Sequence, residues 1–520
     1  MPGPPPSLLI ALPQGLGVSG VNTWAVRLVN GLARRGRAAG LIVHAEPPGF
    51  ARLDLEIDPR VGVHRVPADA PPIDACGGDL APYLPRYRAA VRTMLERGGV
   101  RVVLSPNLHG DCYGVAAELT RDPEIGPALR VVGWQHSDIE YDARVLERYA
   151  PVLGAFVGVS KKIAGTLRTR LHDRAEDVRD VPYGVAVPAA CPSRPPLAGR
   201  PVRLLYTGRL EHRQKRILAL PMLSRELSRR GVAHELTILG DGPAEAALLG
   251  ALRDTPSARR LAPTPPREVT RLLDAHDAFV LASRYEGLSV SMLEALARGC
   301  VPIVTRTESG ALQAIEPGVN GLIADASPDS DEAAAGAALA DAVDRFAAAE
   351  RRHPGAMSLA AWSTARDYFF IDRHVDRVEA LLDAVAASPV RAWPADRPAA
   401  FTGAATAGGT GSVPPDGPRR MGELLRRLAG HKVVIHGTGQ HTLQLEQVIK
   451  DSPVEIVAFA DDDRQKQGTE LWGRPVIAPR DAAATGATDV VISSWMHEDA
   501  VWARRTAYEH AGLVAHKLYT

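Results

Sequence analysis

At 520 residues the chain exceeds what a single hydrophobic core organises, so two to four domains are expected. Its 61 basic and 60 acidic residues leave a net charge of +1, which excludes a global field for nucleic acid, and a hydrophobic content of 45% excludes a disordered chain. Cys76, Cys112, Cys191 and Cys300 form neither a zinc-ligand pair nor a disulfide framework, and no run reaches the roughly 18–20 apolar residues of a membrane helix, so a cytoplasmic location is the reading.

The first segment, 1–190, opens with a strand (SLLIAL), a glycine-rich turn (PQGLGVSG) and an amphipathic helix (VNTWAVRLVNGLARRG). Strands GLIVHA, VRVVLS, LRVVGW and AFVGVS follow, and short apolar runs alternating with helical patterns predict a parallel α/β unit. The proline-rich stretch VPAACPSRPPLAGRP reads as a connector. The second segment, 201–388, repeats the pattern with VRLLYTG, HELTILG, DAFVLAS and VPIVTR, a helix from Ser289 to Arg298, and helical stretches over Glu332 to Glu350 and from Met357 onward. Residues 389–420 read as a flexible linker. A third segment, 421–520, has its own strand–turn–helix opening (HKVVIHGTGQHTLQLEQVIK) and the strands EIVAFA, RPVIA and DVVISS, which predict a small Rossmann-like α/β unit.

The chemistry concentrates in LASRYEGLSVSMLEALARGCVPIV. There a strand runs into a loop with Glu286 and Gly287, then into a helix signalled by Ser289, Ser291 and a capping-box spacing to Glu294. A helix N-terminus at the carboxyl end of a parallel strand offers free N–H groups and a positive dipole end, a place for phosphate. A diphosphate capping this helix would leave Glu294 beside a ribose and Glu286 on the opposite side. Arg209 and Lys215, after strand VRLLYTG, are the cations placed to neutralise such an anion.

Gly17 and Gly20, in the turn of the first segment, permit close approach to a ligand across a cleft. With Gly15 they also match a dinucleotide fingerprint, for which Glu46 is the one acidic residue near the end of the second strand. His136 follows the strand LRVVGW and is placed on the first segment's wall of the cleft, with Asp138, Asp111 and Asn22 as weaker candidates of the same kind. In the third segment Gly437 and Gly439 mark a weaker nucleotide site, and Asp461, Asp462 and Asp463 read as a strand-end loop.

Taken in order, GVSGVNTWAVRLVNGLARRG, VGVSKKI, VPYGV, YTGRL with Lys215, ILGDGP, SRYEGLSVSMLEALARGCVPIV and EPGVNGLI resemble glycosyltransferase family 4, over roughly 7–385. That resemblance implies a GT-B architecture of two facing Rossmann-like domains, with the small third domain added. It implies that Arg209 and Lys215 bind the donor diphosphate together with Gly287 and the amides of Leu288, Ser289 and Val290. It further implies Glu294 on the ribose, Glu286 on the sugar, His136 beside the transferred sugar, and a last helix, around Trp362 to Leu382, crossing back to the first domain. Two departures stand out: Arg216 follows Lys215 where glycine is common, and ARRLAPTPP replaces an apolar strand. The third segment resembles the N-terminal modules of bacterial sugar acyltransferases.

The resulting expectation is a glycosyltransferase that moves a sugar from a nucleotide diphosphate donor with retention of configuration, without a metal or other cofactor. The acceptor is a sugar, a lipid-linked or a small molecule, and nucleic acid is no partner. Arg27, Arg34, Arg35 and Arg37 offer a basic face for peripheral membrane contact. A sugar-nucleotide epimerase, a nucleotide-sugar-binding regulator and an NAD-dependent oxidoreductase are the competing readings.

Overall fold

A computed structural model describes residues 5–46, 53–97, 99–107, 109–401, 417–462, 466–494, 498–502 and 504–519. The chain forms two compact units, 1–403 and 404–520.

In the first unit, strand β1 (Ser7–Leu12) is buried along its whole length, as a parallel strand covered on both faces must be. Helix α1 (Gly20–Arg34) follows, its first turn capped by Ser19, whose hydroxyl accepts the Asn22 N–H at 3.0 Å. Next come β2 (Ala39–Val43), β3 (Gly62–Arg65), α2 (Leu84–Glu96), β4 (Val102–Ser105), α3 (Gly110–Leu119) and β5 (Leu129–Gln135). The half is completed by α4 (Glu140–Tyr149), β6 (Leu153–Gly158), α5 (Lys161–Arg170) and β7 (Val178–Asp180). The strands pair in parallel in the order β3-β2-β1-β4-β5-β6-β7.

The second half repeats the plan with β8 (Val202–Thr207), α6 (Ala219–Arg229), β9 (His234–Leu239), α7 (Glu245–Leu252), β10 (Ala258–Leu261) and α8 (Pro266–Ala275). It continues through β11 (Ala278–Leu281), α9 (Val290–Ala297), β12 (Val301–Thr305), α10 (Ala311–Ala314), β13 (Leu322–Ala324) and α11 (Glu332–Arg352). Its parallel sheet has the order β10-β9-β8-β11-β12-β13. The polar run ARRL, noted as a departure, is an edge strand, where one free side tolerates arginine.

The helical stretch from Met357 onward divides into α12 (Ala356–Tyr368) and α13 (Ile371–Ala387), because Phe370 leaves the helix to bridge Val185. Helix α13 returns to the first half and packs on α1, β4, β5 and β6. Trp24 Nε1 donates to His374 Nε2 at 2.9 Å, Arg35 pairs with Asp376 and Glu379, and Arg37 pairs with Glu379 and Asp383.

The expected linker does not begin free at 389. The chain runs as a strap over α3 and α4 as far as Phe401, with Trp393 only 2% exposed. Trp393 N–H donates to Thr120 Oγ1 at 2.9 Å, Tyr149 Oη–H to the Ala399 carbonyl at 2.6 Å, and Phe401 N–H to Asp111 Oδ1 at 2.7 Å. Glycines at 110 and 114 open the groove: a Cβ on Gly110 would stand 2.3 Å from the Phe401 ring, and one on Gly114 2.8 Å from the Ala399 carbonyl oxygen. Burial of an aromatic pair explains why a Pro- and Ala-rich stretch packs here.

The second unit contains α14 (Gly417–Arg427), β14 (Lys432–His436), α15 (Gln440–Gln444), α16 (Glu446–Lys450), β15 (Glu455–Ala460) and β16 (Glu470–Leu471). It ends with β17 (Arg474–Ile477), β18 (Asp489–Ile492), α17 (Glu498–Trp502), α18 (Thr506–His510) and β19 (Val514–His516). Its sheet has the order β16-β17-β15-β14-β18-β19, parallel but for β16 against β17. Met421, Leu425, Ile435, Phe459 and Val491 centre its core.

Candidate functional site

The site lies at the carboxyl ends of the two large sheets, where open parallel sheets bind ligands beside the point at which strand order reverses. In the second half that point falls between β8 and β11, and each supplies a loop. The β8 loop is folded on Glu211, whose carboxylate accepts the N–H groups of Arg213, Gln214 and Lys215 at 3.0, 2.8 and 2.8 Å. This aims Lys215 at Glu286 on the β11 loop, with Nζ 2.5 Å from Oε1. Ser283 Oγ–H donates to the same oxygen at 2.6 Å, and Gln214 Nε2 to Oε2 at 3.4 Å. Glu286 is 8% exposed, so its charge is held almost out of water by one ammonium and two neutral donors.

Arg216 accounts for the departure next to Lys215. Its backbone takes φ +49°, the left-handed region that favours glycine. Its guanidinium is fully buried and donates to the carbonyls of Ala282, Ser283, Ser327 and Ser330. Burial, with Arg284 nearby, pulls its pKa down to about 10. Arg216 thus ties the β8 loop to the β11 loop. Arg209 is exposed at the end of β8, its carbonyl held by Tyr206 Oη–H at 2.8 Å. Beneath it Gly240 takes φ +150°, and a Cβ there would lie 1.9 Å from the Gly208 oxygen, so the β8 and β9 loops meet backbone to backbone.

Helix α9 begins beside Glu286. Ser289 is its cap, its Oγ accepting the Met292 N–H at 3.3 Å, so the box expected between Ser291 and Glu294 does not form. Leu288, Ser289 and Val290 are the residues at this tip, and the first amides of a helix have no partner within it. Glu294, one turn on, meets the other half: Arg27 Nη2 donates to its Oε1 at 2.5 Å.

The first half closes over this tip. A Cβ on Gly20 would stand 3.5 Å from Val290 Cγ2, and one on Gly287 1.9 Å from the His136 carbonyl oxygen. Gly17 lies in the same turn, its carbonyl, like that of Gly15, accepting from Asn22 Nδ2, at 2.7 and 3.1 Å. His136 follows β5, its ring near-parallel to those of Trp134 and Tyr183 at centroid distances of 5.9 Å, with Nδ1 2.6 Å from Tyr183 Oη and Nε2 without a partner. Burial pushes its pKa down to about 3, so the imidazole is neutral at pH 7.

Three of the residues singled out from the sequence are spent on structure. Asn22 fastens the glycine turn, Asp111 accepts from Phe401 N–H and Cys76 Sγ, and Glu46 accepts the Leu16 N–H at 3.2 Å. The basic face expected to contact a membrane loses Arg27, Arg35 and Arg37 to carboxylates of α9 and α13. In the second unit Gly437 takes φ +115°, and the turn is tied to the end of β15, where Asp461 Oδ2 accepts the Thr438 N–H at 3.0 Å. Asp462 pairs with Arg504 at 2.7 Å, Gly439 lies in the same turn, and Asp463 lies outside the described residues. Among the described residues no group of three or more His, Cys, Asp or Glu is arranged to hold a metal, and no helix is long and apolar enough to cross a membrane.

Gln214 and Ser283 escaped the sequence reading, and Arg27 entered it only as part of a basic face. For Arg27 a signal existed, since it lies seven residues after Gly20 and so shares its helix face.

Residues 201–345 match the family described as Glycosyl transferases group 1, and 429–502 the family described as C2185-like, N-terminal. No curated protein matches the chain. Among solved structures, sucrose-phosphate synthase from Thermosynechococcus elongatus is 17% identical, with a TM-score of 0.57 over 73% of this chain and 98% of its own. The pneumococcal O-GlcNAc transferase GtfA, in complex with UDP and GlcNAc, is 12% identical with a TM-score of 0.55, covering 74% of this chain and 99% of its own. Anabaena Alr3699/HepE, in complex with UDP and glucose, is 14% identical with a TM-score of 0.52, covering 73% and 99%. At such identities the likeness is one of fold. The two large α/β halves have the GT-B architecture, and the third sheet is an addition to it.

Proposed function

We propose that the chain is a glycosyltransferase of the family 4 type, taking a sugar from a nucleoside diphosphate donor and retaining its configuration. The observation that carries this reading is the ion pair of Lys215 with Glu286 beside the tip of α9, with Glu294 one turn behind. Cations from the β8 loop and helix amides suit the diphosphate of a nucleotide sugar, and two carboxylates at different depths suit its hydroxyls. The family match over 201–345 and the UDP complexes of GtfA and HepE support the same donor chemistry.

In this reading Arg209, Lys215 and the amides of Leu288, Ser289 and Val290 bind the diphosphate, and Gly287, Gly17 and Gly20 admit it closely. Glu294 accepts from the ribose, and Glu286 from the sugar hydroxyls. His136 offers neutral Nε2 to the sugar. A carboxylate tied to Lys215 at 2.5 Å and Ser283 at 2.6 Å is a poor nucleophile, which favours front-face substitution over a covalent intermediate. The bond from C1 to the phosphate oxygen breaks, the acceptor oxygen bonds to C1 on the same face, and the acceptor proton passes to a donor phosphate oxygen. The protein supplies position and charge stabilisation of the leaving diphosphate, with no metal. The acceptor is a hydroxyl compound bound by the first half.

A thermal-shift panel of UDP, GDP, ADP and their sugars tests the reading. At least one must raise the melting temperature of the wild type, and Glu294→Ala must shrink that rise. The absence of any shift across the panel would sink it.

A further inference from the structure

We infer that Tyr183 is a positioning residue that fixes the proton of His136 on Nε2 and makes that nitrogen a hydrogen-bond donor. The inference rests on the reading above that sets His136 beside the transferred sugar, and it deepens that reading. Nδ1 of His136 lies 2.6 Å from Tyr183 Oη, and among the described residues Oη has no other hydrogen-bond partner. Both side chains are buried, and burial pushes the phenol's pKa well above its ordinary value, so Tyr183 keeps its proton. A buried hydroxyl proton needs an acceptor, and Nδ1 is the one in reach. A neutral imidazole carries a single proton, so with Nδ1 accepting from Tyr183 that proton sits on Nε2. The opposite polarity, Nδ1–H on Oη, would orphan the hydroxyl proton as well as Nε2, two unmet atoms against one.

The crossing helix α13 puts the phenol in place. His374 Nδ1–H donates to the Pro182 carbonyl at 2.8 Å, Val185 N–H to the Phe369 carbonyl at 2.8 Å, and Ile371 N–H to the Val185 carbonyl at 2.9 Å. Between them a Cβ on Gly184 would stand 2.5 Å from His374 Cβ, so glycine lets the helix approach this closely. Trp24, with its ring centroid 4.9 Å from that of His136 and 5.7 Å from that of Tyr183, packs against the pair. The docking of α13 thus orients Tyr183, and Tyr183 sets the imidazole proton. Nε2–H suits an oxygen of the sugar that accepts, and a nitrogen already carrying its proton cannot take one from the acceptor hydroxyl. Passage of that proton to a donor phosphate oxygen agrees with this.

Nitrogen NMR of the full-length protein carrying isotope-labelled histidine tests this, with His136→Gln assigning the signal. At pH 7 burial holds the imidazole neutral, its pKa pushed down to about 3. In the wild type Nε2 should show a bound proton and Nδ1 a bare nitrogen that accepts a hydrogen bond. Tyr183→Phe removes one hydroxyl and keeps the ring. In it the tautomer protonated on Nδ1 should rise about tenfold against the other, the worth of one buried hydrogen bond, and draw the two resonances together. A proton on Nδ1 in the wild type overturns the inference, and so does a tautomer ratio that Tyr183→Phe leaves unchanged. The signal is read without ligand, so the donor reading is judged separately, by the nucleotide melting shifts.

Discussion

Alanine at Gly110 is the sharpest test of the strap that ends on Phe401. A Cβ there would stand 2.3 Å from Cγ and 2.5 Å from Cδ1 of Phe401, where carbon atoms in contact need about 3.5–4 Å. The ring has little room to yield, being edge-on to Tyr141 at 5.5 Å and tethered by its own N–H to Asp111. Gly110→Ala should therefore cost about 1–3 kcal/mol, the usual penalty of overpacking. Phe401→Ala alone should cost about 3 kcal/mol as a buried aromatic is removed. With Phe401 already alanine the contacts to Cγ and Cδ1 disappear and only that to the Cβ of residue 401, at 2.7 Å, is left, so Gly110→Ala should cost clearly less than in the wild type. Hydrogen exchange of peptides spanning 389–401 and 110–121, with urea midpoints for the four proteins, reads this cycle. Equal costs of Gly110→Ala in both backgrounds would refute the docking of the strap on α3.

Lys215→Met should leave Glu286 charged and buried without its ammonium, a loss of about 3 kcal/mol that the added change Glu286→Gln largely restores; melting temperatures of the single and double variants decide it. His374 is held neutral, Nδ1–H on the Pro182 carbonyl and Nε2 on Trp24, and burial lowers its pKa from 6.5 to about 4. The unfolded chain takes up that proton first, so stability falls as pH drops from about 6.5 toward 4, and His374→Asn should flatten this part of the melting-temperature profile. Asp142 runs the other way. Burial raises its pKa from 3.8 to about 7, so its folded form keeps a proton that the unfolded form loses, and stability falls as pH rises between those values. Asp142→Asn should melt higher than the wild type at pH 8, and an equal or lower melting temperature would contradict the desolvation argument.

What the sequence disclosed follows from how each element is buried. Central strands such as β1, β6 and β12 are covered on both faces and read as unbroken apolar runs. Edge strands β3, β7 and β10 carry polar residues on their free sides and left no such run. The strap has the composition of a linker, and only the paired glycines of α3 show that Phe401 has a groove to fill. In the site, Glu286, Lys215 and the α9 tip were legible because strand–loop–helix order fixes where they fall. Arg27 could be placed on the helix face of Gly20, but its pairing with Glu294 could not, since the two lie 267 residues apart and no local pattern connects them. Arg216 stood out only as a departure from glycine, because its four carbonyl partners come from loops that only the tertiary fold brings together.

Isothermal titration of UDP, GDP and ADP into the wild type and into a variant carrying Arg209→Ala, Lys215→Met and Glu286→Gln addresses the diphosphate grip itself, with the third change sparing the fold an unpaired buried carboxylate. Loss of two charge-assisted contacts should weaken the best ligand by about a hundredfold or more. Equal affinity in the two proteins would mean that the anion, if bound at all, is held somewhere other than the tip of α9.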